Sequence, residues 1–400
     1  HFRATLLEEI NAGVLDQLYH YKSLRLIQLW PLLGDHPIFS HEERDRIDRA
    51  LYRYLAEESG FASIEHIVSQ TTDAGLFNRH YACDALNLWA GADWLWRRSH
   101  DAAWLDYQTV ADAYFRSQQG TDVPLTGLTE GYGSYLEVYL EWFQWTDPDR
   151  IGENSDIRLW GARLFGLCTN TGCLVTGPQT DRARFPYILM HKLAHFLNDA
   201  RFLQMAGMRE RQVAIGNDRL IQFSAGQAYA SDVGPIEFET GPTVNTYPMN
   251  ERLRHWKAPS LVKGTGFDRF VARSGYQADD DYLMVIGVRS GAKSLPNVGA
   301  IGAYERYGQS LITSEATALY PASVSPWRHS IITVNIGGLG YGMAEGAVVT
   351  ANRDSGGGHI FCISTELPGH HIWTRMLYWQ PDGYLLVIDR VDTHRAEPFS

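Results

Sequence analysis

Apolar positions in the first half of the chain recur at three- and four-residue steps, the period of an amphipathic helix. Asn78 to Arg98 carries Ala82, Ala85, Leu86, Trp89 and Leu95 in that rhythm. Glu43 to Glu58, Ala102 to Gln118, the aromatic run Ser134 to Trp145, Ile157 to Cys168 and Pro186 to Met208 read the same way. Asp147-Pro148 stops the aromatic run, and GTDVPLTG at 120–127 and TGPQTD at 176–181 break the pattern with Gly, Pro and Asp. Antiparallel helix pairs on such loops predict an incomplete α/α barrel, or toroid, over residues 1–211. From about residue 212 the texture changes to short β-rich runs between Gly, Asn and Asp turns: Tyr282 to Val288, Ser330 to Asn335, Ala347 to Thr350, Ile360 to Ser364 and Tyr384 to Val391. Runs of this spacing predict an antiparallel β-sandwich over residues 212–400. The expected class is therefore α+β, in two domains. The glycine-rich stretch 337–346 lacks the Lys-Ser/Thr ending of a phosphate loop and reads as turns. The last β-run lies close to residue 400, and more β-structure is expected to follow it.

Composition narrows the function. A net charge of -11 argues against a general nucleic-acid binder. No apolar run approaches the roughly 20 residues that span a bilayer, so no membrane partner is expected. Twelve Trp and 21 Tyr supply faces that suit sugar stacking as well as core packing. Arginine far outnumbers lysine, whose five positions are Lys22, Lys192, Lys257, Lys263 and Lys293. The planar fork of arginine suits carboxylate or sulfate groups. Cys168 and Cys173 are close enough in sequence to close a small loop, with buried free thiols the alternative. No cysteine has zinc-finger spacing. His191 and His195 stand four apart, without the Glu that the zinc-protease pattern needs.

Three segments carry a family resemblance. RMLYWQPDGYLLVIDRV at 375–391 resembles a strand pair of the heparinase II/III-like proteins. DDYLMVIGVRSGAK at 280–293, AIGAYERYGQSLIT at 300–313 and RHSIITVN at 328–335 follow the order of that family's β-domain. NRHYACDALNLWAGADWL at 78–95 and LTEGYGSYLEVYLEWF at 128–143 resemble its Asn-His helix and its Glu-Gly…Tyr helix. The resemblance implies an α/α toroid followed by a β-sandwich, and a lyase that cleaves uronic-acid-containing polysaccharides by β-elimination. A secreted or periplasmic location goes with it, although no signal peptide is visible after His1. The implied partner is an acidic polysaccharide or oligosaccharide; the oligomeric state is left open.

The reaction removes a carbon-bound proton next to a carboxylate, so donors must first neutralise that anion, as an oxyanion hole does. Asn78, Arg79 and His80 offer suitable donors, with Arg79 where the family has its His and His80 one place later. Successive helix residues diverge by about 100°, so all three can serve one site only from a helix start. The resemblance makes Tyr135 the base and acid. A phenol titrates near 10, so a neighbouring cation such as Arg79 must lower it. His329 is the surviving histidine of the family's β-domain site. Glu130, Tyr132, Arg273 and Asn297 are expected to bind substrate. The family's His-x-His-x-Asp loop is replaced by SLPNVGAI at 294–301, and Ser314 stands for a later Asp. The sequence therefore predicts no metal and no cofactor. Two alternatives stand beside the lyase: a glycoside hydrolase on an α/α scaffold with paired carboxylates such as Glu130 and Asp84, and a non-catalytic relative that binds acidic glycans.

Overall fold

A computed structural model describes residues 3–4, 7, 27, 30–31, 33–57, 67–68, 79–119, 135–171, 187–203, 241–249, 251, 254–255, 258–288, 298–313, 330–335, 341–342 and 344–393. The chain is α+β, with helices first and antiparallel sheets second. The described residues fall into two compact units. Those of 1–120 and 132–151 form one, and those of 152–218 and 227–400 form the other.

The first unit holds α1 (His41–Tyr52), which passes into a π-helical turn (Arg53–Glu57), then α2 (Arg79–Ser99), α3 (Ala103–Ser117) and α4 (Tyr135–Thr146). Ser40 starts α1 with a capping box: its side chain accepts from the Glu43 amide, and the Glu43 side chain accepts from the Ser40 amide. Buried tryptophans need acceptors for their indole N–H groups. Asp48 supplies one oxygen to both Trp30 (2.9 Å) and Trp94 (2.7 Å), and Asp112 serves Trp142 at 2.7 Å. These carboxylates pin helices that otherwise touch through Leu, Ala and aromatic faces.

The second unit opens with α5 (Ser155–Leu167), whose start is capped by Asn154 on the Ile157 amide at 2.9 Å, and continues with α6 (Tyr187–Leu197). Gly161 lets Leu193, Leu197 and Phe202 approach the α5 backbone. Strands β1 (Thr243–Pro248), β2 (Phe267–Arg273), β3 (Tyr282–Ile286), β4 (Ile301–Arg306) and β5 (Gln309–Thr313) form one antiparallel sheet in sequence order. Val334–Asn335 (β6) and Tyr341–Gly342 (β7) pair briefly. Strands β8 (Val348–Ser355), β9 (Gly358–Leu367), β10 (His371–Gln380) and β11 (Tyr384–Asp392) form a second antiparallel sheet in the order β11-β10-β9-β8.

The two sheets share one apolar core. Phe267, Phe270, Leu283 and Val285 from the first meet Phe361, Ile363, Trp373 and Leu377 from the second, with Phe270 and Phe361 stacked at 3.9 Å. β10 alternates buried and half-buried positions, as a sheet with one covered face requires. β2 and β3 are buried at every position, because the opposite face of their sheet is covered too. There Tyr282 donates to the Gly166 carbonyl at 2.9 Å, and the Arg273 guanidinium donates to the carbonyls of Phe165 (3.2 Å) and Cys168.

Those contacts place residues 152–171 and 187–203 in the same compact unit as the strands. The C-terminal carbonyls of α5 are satisfied by β2 and β3, and the loop after it is held by Glu305 on β4, which accepts from the Thr171 amide (3.0 Å) and hydroxyl (2.7 Å). Cys168 is buried, and its thiol donates to the Leu164 carbonyl at 3.4 Å. The loop closure with Cys173 that the sequence suggests falls on a residue outside the described ones.

Candidate active site

Most residues that the sequence singles out lie outside the described residues: Asn78, Glu130, Tyr132, Asn297 and His329. Arg79 and His80 are described as the first two backbone positions of α2, and Tyr135 as the first of α4.

The directions of the helices follow from side-chain contacts. Gln108 on α3 meets Asp93 on α2 at 3.4 Å, and Tyr114 on α3 feels the charges of Cys83 and Asp84 on α2, so α2 and α3 run antiparallel. Asp112 meets Trp142, and Phe115 packs on Tyr139 at 6.2 Å, so α3 and α4 are also antiparallel. Thus α2 and α4 run parallel. Trp89 and Trp145 stack between them with centroids 5.5 Å apart and planes 29° apart. Trp89 is ten residues into α2 and Trp145 ten into α4. At 1.5 Å per residue, positions 79 and 135 both lie about 15 Å from this stack on the same side. These two positions are therefore level to within about a turn.

Just inside the start of α2 lies a polar cluster in an otherwise apolar interior. Asp84 and Asn87 are fully buried. The Tyr54 hydroxyl donates to Asp84 Oδ1 at 3.4 Å, and Asn87 Nδ2 donates to the Tyr54 oxygen at 3.5 Å. Burial pushes the Tyr54 phenol well above its ordinary range, and the charge of Asp84 pushes the same way. Tyr54 is therefore a protonated donor at neutral pH and not a base. Burial likewise raises Tyr114, Tyr282 and Tyr304, and raises Tyr247 to about 12. Asp84, which the hydrolase alternative needs at an open site, is enclosed. The sequence reading missed Tyr54 and Asn87. The available signal was Asn87 falling on the stripe of Asp84 and Gly91 in a run of Ala, Leu and Trp.

Arg273 departs from its expected role in substrate binding. Its side chain is buried and committed to protein groups: the Phe165 and Cys168 carbonyls, Asn170 Oδ1, and the faces of Tyr282 (4.5 Å) and Tyr276 (5.3 Å). It closes the C-terminus of α5, where the helix dipole favours a cation. No group of three or more His, Cys, Asp or Glu able to hold a metal occurs among the described residues. No described helix is long and apolar enough to cross a membrane.

No protein-family model matches the sequence, and no curated protein matches it. Solved structures do match the fold. The heparan sulfate lyase HepC from Pedobacter heparinus aligns with a TM-score of 0.54 at 11% identity, over 93% of this chain and 54% of that one. The chain shares the fold of that lyase. A heparinase III structure aligns on the same fold with a TM-score of 0.53 at 10% identity, over 93% of this chain and 53% of its own. The chain spans about half the length of these lyases.

Proposed function

We propose that the protein is a polysaccharide lyase that cleaves a uronic-acid-containing glycan by β-elimination, with its helical part completing an α/α toroid and its two sheets forming the β-sandwich of such enzymes. A secreted or periplasmic location belongs to the same proposal. The observation that carries it is the parallel pairing of α2 and α4, with positions 79 and 135 at the same level. It supports convergence of the Asn78-Arg79-His80 segment with Tyr135, two segments far apart in sequence.

In this reading Asn78, Arg79 and His80 neutralise the uronate carboxylate, so that charge developing on the neighbouring carbon can spread into it. Tyr135, ionised under the influence of the adjacent cation, takes the carbon-bound proton. Electrons from that C–H bond form a C=C bond and expel the glycosidic oxygen. The oxygen recovers a proton from Tyr135, leaving an unsaturated uronate on one product and a hydroxyl on the other. The resemblance adds His329 as a further catalytic candidate and Glu130, Tyr132 and Asn297 as candidates for contact with sugar hydroxyls. Arg273 is left out of this set, since its buried guanidinium donates to Asn170 Oδ1 and to the Phe165 and Cys168 carbonyls.

The test is a screen of alginate, pectic, glucuronan, chondroitin and heparin substrates, read by ultraviolet absorbance of the unsaturated product. Tyr135→Phe should lower turnover by about 10²–10⁴-fold with an unchanged melting temperature. New reducing ends without the absorbance would identify a hydrolase, and undiminished activity in Tyr135→Phe would remove that residue from the mechanism.

A further inference from the structure

The tryptophans described in the first unit divide by burial. Trp30, Trp94, Trp104 and Trp142 lie in its core. Trp89 and Trp145 are half-buried, and Trp96 is 36% exposed. From Trp89 to Trp96, α2 turns through about 700° and advances about 10 Å, so the two side chains leave the helix within about 20° of one line. Trp145 from α4 stacks on Trp89 and widens the strip. Indole surface left in contact with water forgoes the stabilisation of burial, and aromatic groups gathered at a surface mark a binding site. Asp93 stands between Trp89 and Trp96, within about 40° of Trp89 around the helix. It pairs with Arg97 Nη2 at 2.7 Å and accepts from Gln108 Nε2 at 3.4 Å. Arg97 also lies over the buried Trp94 ring at 5.7 Å. Its guanidinium is thus held by a carboxylate and a ring, while its side chain stays 44% exposed. The neighbouring Arg98 is more committed, pairing with both Asp35 (3.7 Å) and Asp48 (3.3 Å).

We propose that Trp145, Trp89 and Trp96 form a glycan-binding track, with Arg97 as its determinant for an acidic substituent. The flat apolar faces of the indoles take the C–H faces of sugar rings, and the Asp93 carboxylate accepts from sugar hydroxyls. The planar fork of Arg97, already ordered, pairs with a carboxylate or sulfate at little further cost in entropy. The track is separate from the candidate active site: Trp89 lies about 15 Å, and Trp96 about 25 Å, along α2 from position 79. It holds a stretch of glycan remote from the bond being cleaved. The acidic character of the ligand rests on the lyase reading; the aromatic strip itself does not.

The experiment follows the indole N–H signals by NMR in the full chain carrying Tyr135→Phe, titrated with a heparin-derived and an alginate-derived tetrasaccharide. Trp89→Phe and Trp145→Phe assign the two signals. Both signals should shift with at least one of the probes, and Arg97→Met should weaken that binding about tenfold, the loss of one charge-assisted bond. An exposed ion pair contributes little to stability, so Arg97→Met should fold, which near-ultraviolet circular dichroism checks. Should it lose its packing, Arg97→Lys, which keeps the charge without the fork, carries the same readout. Signals that stay still with both probes, or an unchanged Kd in the folded arginine variant, overturn the proposal. Binding is read without turnover. Unsaturated products from a parent whose indole signals stay still defeat the track alone, and shifted signals with no unsaturated product from any glycan defeat the lyase reading alone.

Discussion

Arg273→Met tests whether this arginine holds the second unit together or serves substrate. Methionine keeps much of the apolar stem but removes the charge and every donor. The Phe165 and Cys168 carbonyls and Asn170 Oδ1 then lose a charge-assisted partner inside the protein. Such bonds contribute about 1.5–3 kcal/mol each, though not additively. The cation also faces the C-terminus of α5, worth up to about 2 kcal/mol when partly buried, and lies over the Tyr282 ring at 4.5 Å, worth about 1–2 kcal/mol when desolvated. Against these stands relief from burying a guanidinium, several kcal/mol. The expected net loss is about 3 kcal/mol. For a unit of this size that lowers the melting temperature by roughly 6–12 °C, measurable by scanning calorimetry. A shift under about 2 °C would refute the structural role. A raised KM at unchanged melting temperature would restore the substrate role that the sequence suggested.

Gly287→Ala should be among the most damaging single changes. Its Cβ would lie 2.1 Å from the Phe267 carbonyl oxygen, and the Gly287 amide, bonded to the Asp268 carbonyl at 2.9 Å, keeps the strands from moving apart. A loss of about 2–4 kcal/mol should appear as a lower urea midpoint; an unchanged midpoint would contradict the packing described here. Asp389 reports on acid stability. Burial raises its carboxyl, but the paired bonds from Arg375 at 2.8 Å and the Trp373 indole at 2.9 Å outweigh this and hold it below the usual carboxylate range. A lowered folded pKa stabilises above the unfolded value near 3.9 and is lost as pH falls through the folded value. Asp389→Asn should therefore be less stable than the parent at neutral pH, by about 1–2 kcal/mol, with the gap closing below about pH 4. A gap independent of pH would reject this account.

The sequence by itself determined helices of the first half and the strands β8, β9 and β11 of the second sheet, because each turns one face to the core and so shows a period of 3.6 or of 2. Asn78 to Arg98 and Ala102 to Gln118 match α2 and α3 within a residue or two. FDRFVAR at 267–273 shows no such period and was not read as a strand, since its sheet is covered on both sides and its Asp268, Arg269 and Arg273 are all buried. Only tertiary structure decides that a charged residue can be interior, because its partners come from elsewhere in the chain: Arg273 meets the end of α5, more than a hundred residues earlier. The same holds at the candidate site. Residue chemistry and order point to Asn78, Arg79, His80 and Tyr135, whereas the equal level of positions 79 and 135 follows from the parallel packing of α2 on α4. Tyr54 reaches Asp84 through a π-helical turn that no spacing in the sequence announces.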